Sequence, residues 1–106
     1  MHRELRDPVL ETEDLRILGG ALAALGKTAE AEAQLREVIA RATEHARPLL
    51  VANTERDLAN LLARHGRAVE ARELARSART TFDRLRADQE IKKLDALLAI
   101  LEPATR

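Results

Sequence analysis

The stretch Leu25-Gly26-Lys27-Thr28-Ala29-Glu30-Ala31 returns 40 residues later as His65-Gly66-Arg67-Ala68-Val69-Glu70-Ala71. In both copies a glycine separates an apolar helical segment from a Glu-Ala pair that suits the first turn of a new helix. Glycine most easily takes the left-handed conformation just past a helix end. The stretch therefore predicts two equivalent units, each made of a helix, a corner and a second helix.

Working outward from these corners, apolar residues recur at intervals of three and four, as on the buried face of an amphipathic helix. Asp7-Pro8 and Arg47-Pro48 mark helix starts, because proline suits the first helical position. We predict helical hairpins over residues 8–46 and 48–87, a capping helix over 88–102, a flexible N-terminus over 1–7 and a flexible tail over 103–106.

Local signals add four finer predictions. Thr28 and Asp88 are predicted N-caps, since hydroxyl and carboxylate side chains cap free backbone N–H groups. Leu85 is predicted to face inward from the fourth helix. Gly19-Gly20 inside the first helix should cost about 1 kcal/mol per glycine relative to alanine. That cost predicts the close approach of a neighbouring helix.

Composition limits the classes of protein that fit. Only 1% of the residues are aromatic while 45% are hydrophobic, so the core must be built from Leu, Ala, Ile and Val in an all-α fold. The 18 basic and 18 acidic residues cancel, which predicts neither nucleic acid nor membrane as a partner. Absent cysteines, an absent secretory segment and an absent apolar run of 18 residues lead us to expect a cytoplasmic protein.

The repeat extends beyond the two corners. At the same offset the chain pairs Pro8 with Pro48, Leu18 with Leu58, Leu22 with Leu62, Gly26 with Gly66, Glu30 with Glu70, and Ala31 with Ala71. Chance in a leucine-rich helical chain explains the leucine matches but not the prolines, glycines and Glu-Ala pairs in one register. A period in this range is typical of stacked helical units.

These positions resemble the tetratricopeptide repeat (TPR) family. The first unit supplies Leu15, Leu18-Gly19, Leu22, Gly26, Glu30-Ala31, Leu35 and Val38, and the second supplies Leu58-Ala59, Leu62, Gly66, Glu70-Ala71, Ala75 and Ala78. The period is 40 rather than the family's usual 34 and the motif's large aromatics are missing, as in degenerate arrays of bacterial regulators. The resemblance implies about five helices in antiparallel hairpins, stacked as a short right-handed superhelix.

By the same resemblance, the first helix of each hairpin lines a concave groove that binds a peptide or a helix. The groove residues would then be Arg16, Asn53, Arg56, Asn60 and Lys93. Arg56 and Asn60 lie one turn apart and can together hold a carboxylate. Gly20 stands where the first hairpin would need an asparagine, so the full clamp is absent. An ordinary solvent-exposed role for these residues is the alternative.

Leu97 and Ile100 widen the apolar face of the fifth helix. They are either buried within the monomer or part of a self-association surface that makes a homodimer.

The histidines lack metal-ligand spacing, Ser77 is the single serine, and Gly26-Lys27-Thr28 lacks the upstream glycine of a phosphate loop. We therefore expect no catalytic residue, no metal and no cofactor. The expected function is a non-enzymatic scaffold for a protein or peptide partner. The alternative is a regulatory or sensor module of a larger bacterial signalling or transcription-regulating ATPase system.

Overall fold

The computed structural model describes the backbone of residues 8–101 and the side chains of residues 11–101. The predicted N-terminal arm 1–7 and tail 103–106 lie outside that part. The described chain forms five α-helices and no strand, which confirms the all-α prediction. Their bounds are α1 Pro8–Ala24, α2 Thr28–Glu44, α3 Pro48–Arg64, α4 Ala68–Arg84 and α5 Asp88–Leu101.

All four corners between these helices have the same backbone geometry. Gly26 and Gly66 have φ angles of 81° and 77°, which confirms their predicted left-handed conformation. Ala46 and Arg86 take the same conformation at the other two corners, with φ angles of 54° and 58°. Each corner is closed by a backbone hydrogen bond to the carbonyl five residues back: Lys27 to Leu22, Arg47 to Ala42, Arg67 to Leu62 and Ala87 to Phe82, at 2.9–3.0 Å.

Two predicted helix ends were wrong, because the corners at Ala46 and Arg86 contain no glycine. The second helix ends at Glu44 rather than residue 46, and the fourth ends at Arg84 rather than residue 87. Leu85 is therefore the C-cap residue of α4 and is 41% exposed instead of facing inward. Alanine and arginine in the left-handed conformation leave no signal in the sequence, so these two corners were placed too late.

The predicted N-caps were also wrong. Thr28 and Asp88 are the first helical residues of α2 and α5. Lys27 occupies the N-cap position of α2 and makes no side-chain capping hydrogen bond. Because the corner's own backbone hydrogen bonds hold the chain, a capping side chain is not required.

The helices form two layers. Helices α1, α3 and α5 form one row, in which α3 contacts both α1 and α5. In the second layer, α2 packs against α1 and α3, and α4 packs against α3 and α5. The central helix α3 is thus covered on two sides and buries eight residues, including Leu58, Leu61 and Leu62. The core between the layers consists of leucine and alanine around the fully buried Phe82.

The two adjacent glycines of α1 have different surroundings. A Cβ atom added to Gly19 would lie 2.7 Å from Leu35 Cδ2 and 2.9 Å from Leu35 Cγ, so the predicted close approach is confirmed there. A Cβ atom added to Gly20 would meet nothing within 4 Å, so the prediction was wrong for that residue. Packing therefore explains Gly19 but not Gly20.

An ion-pair network joins the two hairpins across the even-numbered helices. Arg67 donates through Nη1 and Nη2 to Glu32 at 2.6 and 3.1 Å, and through Nε to Glu70 at 2.7 Å. Arg36 contacts the same two carboxylates at 2.9 and 3.5 Å. The hydrogen bonds from Arg67 lower the pKa of Glu32 and of Glu70 below their ordinary values. The network aligns α2 with α4, although exposure to water keeps its contribution to stability small.

Candidate functional site

The residues predicted to line a groove are all carried by the α1, α3 and α5 row. Arg16 lies on α1 and Lys93 on α5, while Asn53, Arg56 and Asn60 lie along α3. Of these three α3 residues only Asn60 is exposed, whereas Asn53 and Arg56 are half-buried. Asn60 thus makes the exposed surface of the row polar at α3.

A cavity of about 270 Å³ opens between α1 and α3 on this surface. Three small residues of α1, Gly20, Ala23 and Ala24, form one wall, and Leu35 of α2 contributes apolar surface. The polar side is formed by three residues of α3: Asp57, Asn60 and Arg64. Small-molecule sites usually enclose about 300–1,000 Å³. This cavity is smaller, and its size suits one side chain of a larger partner.

One positive charge at this cavity is not neutralised. Arg16 Nε donates to Asp57 Oδ2 at 2.7 Å, so those two charges cancel and tie α1 to α3. Arg64 is exposed and makes no ion pair or hydrogen bond with any residue that the structure describes. Asn60 uses one N–H group in a 3.1 Å hydrogen bond to the Arg56 carbonyl oxygen and keeps its other polar groups free. The cavity therefore offers free donors to an anionic group.

Arg56 does not line this cavity. Its guanidinium carbon lies 5.9 Å from the centre of the Phe82 ring, a cation–π contact with α4. Its Nη1 atom is buried and has no hydrogen-bond partner among the described residues. The structure therefore separates Arg56 from Asn60, which the sequence paired as a carboxylate clamp, and places Arg64 beside Asn60 instead.

The remaining predicted residues lie apart from the cavity. Asn53 is half-buried on α3, and Lys93 is exposed on α5. Leu97 is half-buried and packs against the core, whereas Ile100 is 79% exposed. Of the pair predicted for self-association, only Ile100 presents most of its surface to solvent.

Sequence reasoning missed Asp57 and Arg64. A signal for both existed, because they lie three residues before and four residues after Asn60 and so share its side of the helix. The salt bridge from Arg16 to Asp57 spans 41 residues and could not be found from helical spacing alone.

A buried carboxylate lies away from this surface. Glu55 of α3 is only 8% exposed, and its Oε2 atom accepts a 2.9 Å hydrogen bond from the Ser77 hydroxyl of α4. Its Oε1 atom has no hydrogen-bond partner in the described part of the chain. Burial raises the pKa of Glu55 above its ordinary value, because removal from water disfavours the charged form.

Comparison with protein-family models, with curated proteins and with solved structures finds no match to this chain. Among the described residues, no helix is long and apolar enough to cross a membrane, and no cluster of His, Asp and Glu side chains could hold a metal ion. The fold alone defines the class: over residues 8–101 the chain is all-α, with five helices. Its function must be argued from the geometry of the α1–α3 cavity.

Proposed function

We propose that this chain is a non-enzymatic, TPR-like scaffold that binds a peptide segment of a protein partner along the α1, α3 and α5 row. The α1–α3 cavity receives an apolar side chain of the peptide against Gly20, Ala23 and Ala24. A neighbouring carboxylate of the peptide pairs with Arg64 and Asn60. The observation that carries the proposal is the free guanidinium of Arg64 at the rim of this cavity.

The physical basis is a combination of two modest interactions. Hydrogen bonds to charged groups contribute about 1.5–3 kcal/mol, and burial of an apolar side chain adds about 1.5–3 kcal/mol. Because association and ordering of a short peptide cancel most of this gain, only a small surplus remains, which predicts weak, reversible binding. The wider row, with Asn53 and Lys93, gives a longer partner further contacts.

The test uses acetylated hexapeptides that end in Leu, Met or Val, each with a free C-terminal carboxylate and each paired with its amidated form. Binding to the full chain is followed by chemical-shift changes at residues of α1 and α3. We expect Arg64→Ala to weaken binding about tenfold through the lost charge-assisted hydrogen bond. Asn60→Ala should weaken binding less. Arg41→Ala, an exposed arginine on α2, is the matched control and should leave binding unchanged.

A second variant separates binding from folding. Gly20→Leu should fill the cavity and abolish peptide binding without destabilising α1, since there is open space at that position. Equal binding of the free-acid and amidated peptides, or normal binding to both Arg64→Ala and Gly20→Leu, would refute the proposal.

A further inference from the structure

The C-terminal half of α1 and the residue that follows it carry an exposed apolar face. Ile17 is 64% exposed, Leu18 46% and Leu25 72%, and Ala21 lies exposed between them. The spacing places all four on one side of the helix. None of the four lines the α1–α3 cavity, whose wall is formed by Gly20, Ala23 and Ala24.

The central helix shows what normally covers such a face. Leu58 and Leu61 of α3, 40 residues after Leu18 and Ala21, are 0% and 1% exposed. The helix that packs before α3 is α2, whose Ala31 and Leu35 belong to the same buried core cluster as Leu58 and Leu61. Because α2 connects to α3 through a three-residue corner, the two helices run antiparallel. The face of α1 therefore suits an antiparallel helix with apolar residues.

We propose that a second copy of this chain covers that face, with the two α1 helices antiparallel about a twofold axis near residues 20 and 21. A twofold axis makes the contact self-complementary and closed. It places Ala21 of the two copies close together at the axis and Ile17 opposite Leu25 of the other copy, with Leu18 alongside, so small residues allow close approach at the centre and large ones pack on either side. Ile100 on α5, by contrast, is a single exposed side chain beside the half-buried Leu97.

Charge complementarity supports the same register. Asp14 and Lys27 flank the apolar face at its two ends, and both are exposed without an ion-pair partner among the described residues. Their midpoint coincides with the proposed axis, so Asp14 of each copy meets Lys27 of the other. A comparable pair lies on the surface within one copy, where corner residue Arg67 binds Glu32 of the preceding even-numbered helix.

The size of the surface sets the strength of the contact. A stable interface uses roughly 20–30 residues a side, and this face offers far fewer. We therefore expect a dimer that dissociates on dilution. The contact does not involve the peptide cavity, so its failure would leave the proposed peptide binding untouched, and the reverse also holds.

Sedimentation equilibrium of the full chain over a wide concentration range tests the proposal. The wild type should show a monomer–dimer equilibrium, which Leu18→Glu should weaken at least about tenfold. Ile100→Glu, the matched control on α5, should leave it unchanged. Asp14→Lys or Lys27→Asp alone should weaken association, whereas the double variant should restore it to within roughly threefold of the wild type.

Cross-linking gives a second readout, because the chain contains no cysteine. Ala21→Cys lies near the proposed axis and should form an intermolecular disulfide under mild oxidation, whereas Val69→Cys and Ile100→Cys should not. A wild type that stays monomeric at every concentration would overturn the proposal. So would loss of the dimer in Ile100→Glu but not in Leu18→Glu. Binding of a synthetic peptide of residues 28–46, which contains α2, to a wild type that remains monomeric would show that the face takes a helix other than α1 of a second copy. That result would also overturn the proposal.

Discussion

Helices α1 and α3 have closely matching sequence patterns and very different surroundings. Leu58 is fully buried, while Leu18, its equivalent in α1, is 46% exposed. The two helices have the same length and the same proline at the start. Helix α3 packs between α2 and α4, whereas α1 packs mainly against α2. In a stack of helices, the burial of a leucine therefore depends on which helices pack beside it as much as on the apolar pattern of its own helix.

The largest effect should come from removing the equivalent leucines. Leu58→Ala should lower the free energy of unfolding by about 2–5 kcal/mol, because it leaves a cavity in the core. Leu18→Ala should cost less than about 1 kcal/mol in the monomer. Urea denaturation followed by circular dichroism measures both. Equal costs at a concentration where the chain is monomeric would show that the two helices are equally buried.

The adjacent glycines sharpen the comparison within α1. Gly19→Ala should lower the free energy of unfolding by about 1 kcal/mol, because the clash with Leu35 outweighs the gain in helix propensity. Gly20→Ala should raise it by about 1 kcal/mol, since only the propensity gain applies. Thermal denaturation in the same buffer compares the two.

A double variant checks the cause assigned to Gly19. In α4 the residue equivalent to Leu35 is Ala75, and in α3 the residue equivalent to Gly19 is Ala59. Compared with the first hairpin, the second thus has a larger residue where α1 has Gly19 and a smaller residue where α2 has Leu35. In a Leu35→Ala background, Gly19→Ala should no longer destabilise. A persistent cost there would mean that Leu35 is not what excludes a side chain at position 19.

The four corners provide a smaller test. Ala46→Gly and Arg86→Gly should each raise the free energy of unfolding by about 0.5–1 kcal/mol, because they relieve a left-handed residue that carries a side chain. Gly26→Ala and Gly66→Ala should lower it by a similar amount. Thermal denaturation midpoints give the signs. The same sign for all four substitutions would contradict the equivalence of the corners.

The smallest effect concerns pH and another difference between α1 and α3. Glu55 occupies the position that Leu15 holds in α1. Because its pKa in the folded protein is raised, its contribution to stability is fully present below its ordinary value of 4.5 and is lost as the pH rises through the folded value. Glu55→Gln should therefore be more stable than the wild type at pH 7 and nearly equal to it at pH 4.

Urea denaturation at both pH values checks this prediction. The Gln side chain can still accept the hydrogen bond from Ser77, so that contact is preserved. Ser77→Ala serves as the control for the hydrogen bond alone. A stability gain of Glu55→Gln that is as large at pH 4 as at pH 7 would exclude ionisation of Glu55 as its cause.

The fold followed from the sequence where a residue type has one strong backbone preference. Pro8 and Pro48 marked helix starts, and Gly26 and Gly66 marked corners. Ala46 and Arg86 hold the same backbone conformation as those glycines but have no such preference, so the ends of α2 and α4 were missed.

The candidate site was harder to predict, because its chemistry depends on contacts between helices. The side of α3 that carries Asn60 could be read from helical spacing. Three features of the site follow only from the packed structure. Arg16 neutralises Asp57, Phe82 holds Arg56 away from the cavity, and Arg64 is left free. The exposure of α1 likewise reflects the fact that, among residues 8–101, only α2 and α3 pack against it, which no local pattern records.

The uniform three-residue corners also give the stack of helices a direction. Each corner reverses the chain, so α1, α3 and α5 all run the same way, and an odd number of helices separates residue 8 from residue 101. Residues 8 and 101 therefore lie at opposite ends of the helices, one on the first helix of the stack and the other on the last. Tethers attached at these two residues would be held apart, and insertion of a single extra helix would bring both attachment points to the same end of the helices.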